Sequence, residues 1–207
     1  MSNIGIVSIG LGNTGSLGAA IYNLGHDVSC VQCPLELDQF THLVLPGVGA
    51  FGAASTRLVA GNWKSSINHF VESGRPLLGI CLGMQLLATT GTEGGLSDGL
   101  DIIGGQVKLL HDGTGVRLPH VGWNSVGYKF DHPVTEGLKS NLDFYFVHSY
   151  CFHADSPDEV LGVTDYSGEF VSIVASRNVV GTQFHPEKSQ GSGLKLLENF
   201  CKWDGKC

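Results

Sequence analysis

The sequence predicts a single α/β domain in which helices cover both faces of a mostly parallel sheet that also carries antiparallel strands. Along the first half of the chain, apolar runs of strand length alternate with segments of helical pattern. Glycine accounts for 30 of the 207 residues, about twice the usual share, and clusters at predicted strand ends and turns. The composition, with 42% hydrophobic residues, is that of a globular protein long enough to bury a sizeable core.

The first half of the chain provides the alternation of strands and helices. Apolar runs predict strands at residues 4–9, 27–31, 41–45 and 76–80. Helical patterns follow at residues 16–24 and 61–73, and a further helix is predicted from Met84 through Ala88. This alternation predicts a parallel sheet covered on both faces.

The second half of the chain is richer in strands. Short strand-like runs occupy residues 107–110, 144–147, 160–164, 171–176 and 179–184, and a closing helix is predicted at residues 193–202. Strands that follow one another without helices between them indicate antiparallel additions to the sheet. No repeat or linker interrupts the chain, so we expect residues 1–207 to form one domain.

Charge and composition exclude several classes of partner. The net charge is −7 with only 12 basic residues, which argues against a surface for nucleic acid or for an anionic membrane. No apolar run is long enough to span a membrane, and no basic region precedes the first apolar stretch, so we expect no secretory signal. Six cysteines in a chain of this length do not form a disulfide scaffold, which favours the reducing cytoplasm.

Two further motifs are weak. Cys30 and Cys33 form a lone C-x-x-C pair, which is more typical of packed thiols than of a zinc or redox site. Residues 10–15 match G-x-G-x-x-G, but the second strand ends in Gln32 and Cys33 without the acidic residue that would hold a ribose. We therefore expect no nucleotide, no other cofactor and no metal ion.

A nucleophile is predicted at Cys81. Residues 79–83 read G-I-C-L-G, the cysteine form of a strand-to-helix elbow that exposes a nucleophile on a tight turn. The flanking Gly79 and Gly83 allow a sharp turn and a close approach of substrate to the backbone. The start of the following helix would favour the thiolate, the form that attacks.

A base is predicted at His185, at the end of the strand predicted over residues 179–184. Pro186 keeps the chain extended there, so the side chains of His185 and Glu187 leave on the same side. A carboxylate in that position can fix the imidazole tautomer and stabilise its charged form. Taken one at a time, these residues could be a buried structural cysteine, a strand-end histidine and a surface glutamate; together they predict a catalytic triad.

With these residues, the chain resembles the class I, triad-type glutamine amidotransferases. Within them it is most similar to the glutaminase subunits of imidazole glycerol phosphate synthase, which act in histidine biosynthesis. The resemblance covers nearly the whole chain and is carried by residues 46–52, 79–85, 118–124, 147–150 and 181–189. It implies a flavodoxin-like three-layer sandwich and an enzyme that needs no cofactor.

The resemblance also implies a reaction and a set of binding residues. Cys81 would attack the side-chain amide of glutamine with help from His185, release ammonia, and leave a glutamyl thioester that water hydrolyses. The elbow itself makes the Leu82 N–H an oxyanion donor. The other expected positions are Val48 and Gly49 for the second oxyanion donor, Gln85 and Glu93 for the glutamine pocket, with Glu93 pairing the ammonium group, and the backbone at Ser149 and Tyr150 for the carboxylate. The segment from Pro46 to Gly49 is either a conformational switch or an ordinary strand-ending turn.

A partner is implied because ammonia becomes protonated in water and loses its nucleophilicity. The resemblance implies a heterodimer with a (β/α)8-barrel cyclase subunit, which would combine the ammonia with a carboxamide nucleotide. The candidates for the partner-facing side are Lys188, Tyr145, Asn13, His120 and Trp123. For His120 and Trp123, packing inside a loop is an equal alternative.

Three other functions remain open from the sequence. The chain could feed ammonia to a different acceptor, for example in amidino-sugar synthesis, because the acceptor chemistry would lie in the partner. It could be a cysteine hydrolase or peptidase of the same fold that acts alone. An inactive binding subunit is the third alternative, and the intact Cys81, His185 and Glu187 argue against it.

Overall fold

The computed structural model describes residues 2–12, 14–110 and 115–207. Its strands form a branched sheet with a parallel and an antiparallel half. In chain order the strands are β1 (Asn3–Val7), β2 (Asp27–Val31), β3 (His42–Gly47), β4 (Leu77–Cys81), β5 (Thr90–Gly91), β6 (Ser97–Asp98), β7 (Gly105–Leu109), β8 (His120–Tyr128), β9 (Leu142–His148), β10 (Tyr150–Ala154), β11 (Val160–Asp165), β12 (Glu169–Ser176) and β13 (Val179–Thr182). The helices are α1 (Thr14–Asn23), α2 (Phe51–Ala60), α3 (Trp63–Glu72), α4 (Leu82–Gln85) and α5 (Gln190–Lys202).

The parallel half of the sheet has the strand order β2-β1-β3-β4-β13. β1 pairs in parallel with β2 and β3, and β4 pairs in parallel with β3 and β13. Because β13 takes the fifth position, this is the 2-1-3-4-5 order of flavodoxin-like folds. The predicted fold class is confirmed, and the carboxyl ends of β3, β4 and β13 lie side by side.

The antiparallel half continues from β13. β12 pairs antiparallel with β13, and β10 with both β12 and β7. β11, β8 and β9 form a branch in which each pairs antiparallel with the next. This branch brings the end of β9 back beside the end of β4. The contact between Cys81 Sγ and the carbonyl oxygen of Val147 shows this proximity.

The two faces of the parallel half carry separate hydrophobic cores. Val44 and Leu78 pack on one face with buried side chains of α1 and α5. Their chain neighbours Leu43 and Leu45 pack on the other face with α2 and α3. Successive side chains of a strand point to opposite faces, so strands buried on both sides read as continuous apolar runs.

The helix predicted at residues 61–73 is confirmed as α3, which spans Trp63–Glu72. The structure has two helices in this region, α2 and α3, and α2 was not predicted. Gly61 N–H donates to the Arg57 carbonyl oxygen at 3.0 Å and ends α2, and Asn62 then adopts a left-handed φ of 55°. The glycines of the segment 46–52 concealed α2, because glycine is a poor helix former.

The strands β8 and β10 were not predicted either. β8 contains Gly122, at a φ of 140°, and Gly127. Glycine is depleted in strands, so the sequence of β8 gives a weak strand signal. β10 follows β9 after the single residue Ser149, so no turn signal separates the two. Among the residues that the structure describes, no helix is both long and apolar enough to cross a membrane.

Candidate active site

The candidate site lies at the carboxyl ends of three neighbouring parallel strands. Cys81 is the last residue of β4, and Gly47, the last residue of β3, is its registered neighbour. β13 lies on the other side of β4, and the chain reaches His185 three residues after that strand ends. Ligands in open α/β sheets bind at this edge, where the strand ends leave a crevice.

The backbone at Cys81 is strained in the way a nucleophile elbow requires. Cys81 has φ 55° and ψ −111°, a conformation that residues with a side chain rarely adopt, and it is buried. A side chain on Gly83 would overlap the carbonyl oxygen of Leu45 on β3. The close approach of the elbow to β3 therefore requires glycine at this position.

The helix after Cys81 is shorter than the sequence predicted. The prediction of helix through Ala88 is wrong, because α4 is a single turn that ends at Gln85. The backbone N–H groups of residues 100–103 donate to the carbonyl oxygens of Leu86, Leu87 and Ala88 and fix that segment in an irregular turn. The alignment of peptide dipoles at the sulfur is correspondingly small.

The Val147 carbonyl oxygen and the Gln183 amide both lie within hydrogen-bonding reach of the Cys81 sulfur. Its Sγ lies 3.8 Å from the carbonyl oxygen of Val147, towards which a thiol can donate. The side-chain Nε2 of Gln183 lies 3.7 Å from the same Sγ and donates to it.

His185 and Glu187 form a buried pair. His185 Nδ1 lies 2.9 Å from Glu187 Oε1, and the two side chains are 4% and 5% exposed. The backbone N–H of His185 donates to the Tyr145 carbonyl oxygen at 2.9 Å. Ser189 Oγ donates to the His185 carbonyl oxygen at 2.6 Å and accepts the Tyr145 N–H at 3.0 Å, so Ser189 ties this turn to β9.

The environment of His185 favours its charged form. Burial by itself lowers the pKa of His185, but the nearby Cys81 sulfur and the Glu187 carboxylate outweigh burial and raise that pKa to about 9. The Nε2 atom makes no hydrogen bond of standard geometry among the described residues, although the thiol is near enough to raise the pKa. The arrangement stabilises an imidazolium beside the sulfur.

A cavity of about 180 Å³ opens in front of Cys81. Its lining includes all eight residues predicted around the thiol and the glutamine, which are Val48, Gly49, Cys81, Leu82, Gln85, Glu93, Ser149 and Tyr150. A cavity of this size suits a ligand no larger than an amino acid. The structure therefore brings the predicted pocket residues together.

Two polar side chains of this cavity have fixed orientations. Glu93 Oε2 accepts the backbone N–H of Phe51 at 2.8 Å, which places its carboxylate at the first residue of α2. Gln85 Nε2 donates to the Tyr150 carbonyl oxygen at 2.9 Å and to Gln183 Oε1 at 3.1 Å.

The segment after β3 lies between this cavity and the His185–Glu187 pair. Val48 lines the large cavity and also a second, water-sized one of about 20 Å³. The second cavity is bordered by His185, Glu187 and Lys188. Gly49 has a φ of 105°, which favours glycine, and it is followed by the first turn of α2.

A pair of neutral histidines supports the far wall of the cavity. His148 Nδ1 donates to the Tyr150 carbonyl oxygen at 2.9 Å, so its Nε2 accepts from His120 Nδ1 at 3.1 Å. Burial is the main cause that lowers the pKa of both rings, and the pKa of His148 falls to about 3.

The predicted partner-facing residues do not all lie on one surface. Trp123 is 48% exposed, its ring centroid is 6.0 Å from that of Tyr145, and Lys188 Nζ lies 5.9 Å from the Tyr145 ring. His120 is 3% exposed and stacks on Tyr166 and Phe146, so the prediction that its side chain faces a partner is wrong. The alternation of β8 points His120 inward. Asn13 lies outside the described residues.

Sequence reasoning missed Gln183, His148 and Ser189 as parts of the site. A signal for Gln183 was present, since side chains two apart in an extended segment share a face and His185 had been assigned. No local pattern marks His148 or Ser189, because their partners come from other elements.

Among their described residues, the two weak motifs show no structural feature that indicates a ligand. Cys30 and Cys33 are both free thiols. Gly12 of the glycine-rich segment packs toward the Gly47 backbone, and Arg57 donates to the carbonyl oxygens of Ile9 and Gly10. Within the described ranges, no group of three or more His, Cys, Asp or Glu side chains could hold a metal ion.

Comparison with known families identifies relatives over nearly the whole chain. Residues 6–203 match the family described as glutamine amidotransferase class-I. A protein of Prochlorococcus marinus named imidazole glycerol phosphate synthase subunit HisH 1 is 46% identical over 204 residues, covering 94% of each chain. The subunit HisH of Desulfitobacterium hafniense is 42% identical over 200 residues, covering 97% of this chain and 94% of that protein.

Solved structures agree with the fold. A crystal structure of a glutamine amidotransferase superimposes with a TM-score of 0.76 at 19% identity, covering 97% of this chain and 99% of the other. The structure described as PurLQS from Thermotoga maritima gives a TM-score of 0.76 at 17% identity, covering 98% and 99%. At these identities the likeness concerns the fold alone.

Proposed function

The chain belongs to the class-I glutamine amidotransferase family, and we propose that it is the glutaminase subunit of an imidazole glycerol phosphate synthase. It hydrolyses glutamine to glutamate and ammonia, and a cyclase subunit uses the ammonia to make imidazole glycerol phosphate in histidine biosynthesis. The observation that carries this proposal is the strained Cys81 beside a buried His185–Glu187 pair, at the edge of a cavity of amino-acid size.

The first half of the reaction makes a thioester. The Cys81 thiolate attacks the amide carbon of the glutamine side chain, and the carbonyl electron pair moves onto oxygen. The raised pKa of His185 keeps its ring protonated at neutral pH, so the ring can deliver a proton to the departing nitrogen. The C–N bond then breaks, and ammonia leaves the glutamyl thioester.

The second half regenerates the enzyme. His185, now neutral, removes a proton from water, and the resulting hydroxide attacks the thioester carbon. The C–S bond breaks, glutamate leaves, and the sulfur returns to its thiolate form beside the imidazolium. The sum is glutamine plus water giving glutamate plus ammonia.

The oxyanion formed in both halves needs backbone donors near the elbow. We assign Leu82 N–H as the first donor and the segment of Val48 and Gly49 as the second. All three residues line the cavity in front of the sulfur, and Gly47 packs against Leu82. Loss of one such donor typically raises a barrier by about 3 kcal/mol, so the setting of the Val48–Gly49 segment would control the rate.

The amino-acid end of glutamine would be held on the opposite wall of the cavity. Glu93 would pair with the substrate ammonium, and the backbone around Ser149 and Tyr150 would receive the carboxylate. Because Gln85 Nε2 is used by Tyr150 and Gln183, its Oε1 is the atom available to accept from the substrate.

The partner we propose is a (β/α)8-barrel cyclase, bound next to the ammonia-releasing side. Exposed Trp123, the adjoining Tyr145 and exposed Lys188 form a row from β8 to the turn that carries His185 and Glu187. Aromatic side chains are enriched at protein interfaces. Residues 1–207 form, in this proposal, one amidotransferase domain that works in the cytoplasm, where free thiols persist.

The deciding experiment mixes the chain with candidate barrel cyclases and measures glutamate release with and without the carboxamide nucleotide. We expect release to be low for the chain alone and to rise only when partner and nucleotide are both present. Full, partner-independent hydrolysis of an amide or peptide substrate would instead identify a stand-alone cysteine hydrolase. Stimulation by a different synthase would identify another ammonia acceptor.

A further inference from the structure

Gln183 is a buried polar residue next to the nucleophile, and it has no role in the reaction described above. Its side chain is 0% exposed, and it lies between the end of β13 and His185. Its backbone N–H donates to the Ser172 carbonyl oxygen at 2.9 Å, which continues the pairing with β12. A fully buried amide in this position has its orientation fixed by its hydrogen bonds.

The direction of the Gln183 amide follows from its neighbours. The Tyr150 carbonyl oxygen can only accept, so the Gln85 atom 2.9 Å from it is the NH2 group. The same NH2 group lies 3.1 Å from the Gln183 amide and can only donate, so the facing Gln183 atom is the oxygen. The NH2 group of Gln183 is therefore the end that faces Cys81 Sγ, at 3.7 Å.

A neutral N–H donor aimed at sulfur favours the thiolate over the thiol. Hydrogen bonds to ionised acceptors are stronger than those to neutral ones, so this contact tightens when Cys81 loses its proton. The single turn of α4 gives little dipole support at the sulfur. The titratable groups nearby are His185 with Glu187 behind it, His148 at the end of β9, and Glu93 across the cavity.

We propose that Gln183 is a positioning residue that stabilises the Cys81 thiolate through its amide N–H, with the direction of donation set by Gln85. Since Gln85 lines the glutamine cavity, the same pair of amides links substrate recognition to the state of the nucleophile. This inference rests on the proposed role of Cys81 as nucleophile. In it, Gln183 contacts the sulfur of Cys81 and does not contact the substrate.

The test is the pH dependence of Cys81 alkylation by iodoacetamide, read by mass spectrometry of the peptide that contains Cys81. Gln183→Met keeps the length of the side chain and removes the donor. We expect the midpoint pH of alkylation to rise by about one unit, equivalent to about tenfold less reactive sulfur below the midpoint. Gln183→Glu puts a carboxylate beside the sulfur and should raise the midpoint further.

Asn178→Leu is the matched control, because Asn178 is another buried amide at the opposite end of β13. Its Nδ2 donates to the carbonyl oxygens of Val71 and Arg75, far from Cys81 in the sheet. This change should lower the melting temperature and leave the midpoint of Cys81 alkylation where it is. Should Gln183→Met fail to fold, Gln183→Leu also removes the donor without adding a charge and carries the test.

Two failures can be told apart. An unchanged midpoint in a folded Gln183→Met or Gln183→Leu protein would overturn the role of Gln183 and leave the proposed function standing. A wild-type Cys81 that is alkylated no faster than buried Cys151 at neutral pH would instead contradict the nucleophile assignment itself.

Discussion

The molecule contains a buried cysteine beside a histidine in each half of its sheet, and the two pairs differ in backbone geometry and in electrostatics. In the parallel half, Cys81 sits at a strained strand end and faces a His185 that Glu187 orients. In the antiparallel half, Cys151 lies within the regular strand β10, with its Sγ 3.5 Å from Nε2 of exposed His153. Proximity of thiol and imidazole is thus common to both.

The surroundings separate the two pairs. Burial raises the pKa of Cys151 to about 12, and burial followed by the Lys108 charge lowers the pKa of His153, so both groups of the second pair are held neutral. In the first pair, His185 is held charged by Cys81 and Glu187 in spite of burial. An orienting carboxylate and a strained elbow, rather than the cysteine–histidine contact, therefore distinguish Cys81, the proposed nucleophile, from Cys151.

The largest expected effect comes from removing the sulfur in the parallel half. Cys81→Ala should reduce glutamine-dependent synthesis at least about 10⁴-fold, because loss of a nucleophile removes the covalent route. Synthesis from added ammonium salts with the cyclase should remain, since it bypasses this site. Cys151→Ala is the matched control and should keep glutamine-dependent activity; equal losses in both variants would break the comparison.

The second effect comes from the orienting carboxylate. Glu187→Gln should lower kcat/KM for glutamine by about 10²–10⁴-fold, because the imidazole loses its charge partner and its fixed tautomer. The raised pKa of His185 predicts that wild-type activity falls as pH rises through about 9, where the proton for the leaving nitrogen is lost. Glu187→Gln lowers that pKa, so the alkaline fall should move to lower pH.

The same pKa shift has a consequence for stability. A histidine whose folded-state pKa is raised stabilises the fold fully below the unfolded value of about 6.5, and this contribution is lost as pH rises through about 9. The difference in unfolding free energy between wild type and Glu187→Gln should therefore shrink over this range. Denaturant titrations at several pH values measure it, and a difference that grows with pH would contradict the assignment.

A third effect tests the proposed role of Glu93 in binding the substrate ammonium. Glu93→Gln removes the charge that would pair with the substrate ammonium, while its amide oxygen can still accept from Phe51 N–H. We expect KM for glutamine to rise about 10–100-fold with a smaller change in kcat, as for the loss of a hydrogen bond to a charged group. Steady-state kinetics measure KM and kcat separately. A loss confined to kcat would indicate that Glu93 acts only through its contact with Phe51 N–H at the start of α2.

The smallest expected effect lies in the antiparallel half, on the partner surface. Trp123→Ala should weaken cyclase binding about 10–30-fold, in the range of interface tryptophans, and leave unstimulated glutamine hydrolysis as in wild type. Leu35→Ala, at a position that is 86% accessible in the segment between β2 and β3, is the control. Titration calorimetry or stimulated-rate titration with the cyclase gives both affinities; equal affinities for wild type and Trp123→Ala would remove Trp123 from the interface.

Much of the parallel half could be predicted from the sequence because local patterns control it. Apolar runs located β1 to β4, and glycine spacing around Cys81 marked the elbow, since a turn with φ 55° next to β3 needs small neighbours. His185 and Glu187 were related by the two-residue period of extended chain. The antiparallel half was harder, because β8 and β10 carry weak alternation and are defined by their neighbours.

The sequence by itself determined the fold class and the family, and it predicted the reacting residues, since each is written in short-range spacing and residue type. Tertiary structure alone decided that His120 is buried, that α4 ends after one turn, and that Gln183 donates to Cys81. These depend on contacts between residues far apart in the chain, such as Gln85 and Gln183, 98 positions apart. Local periodicity determines the face on which a side chain emerges, but packing determines which group it meets and therefore the direction of its hydrogen bond.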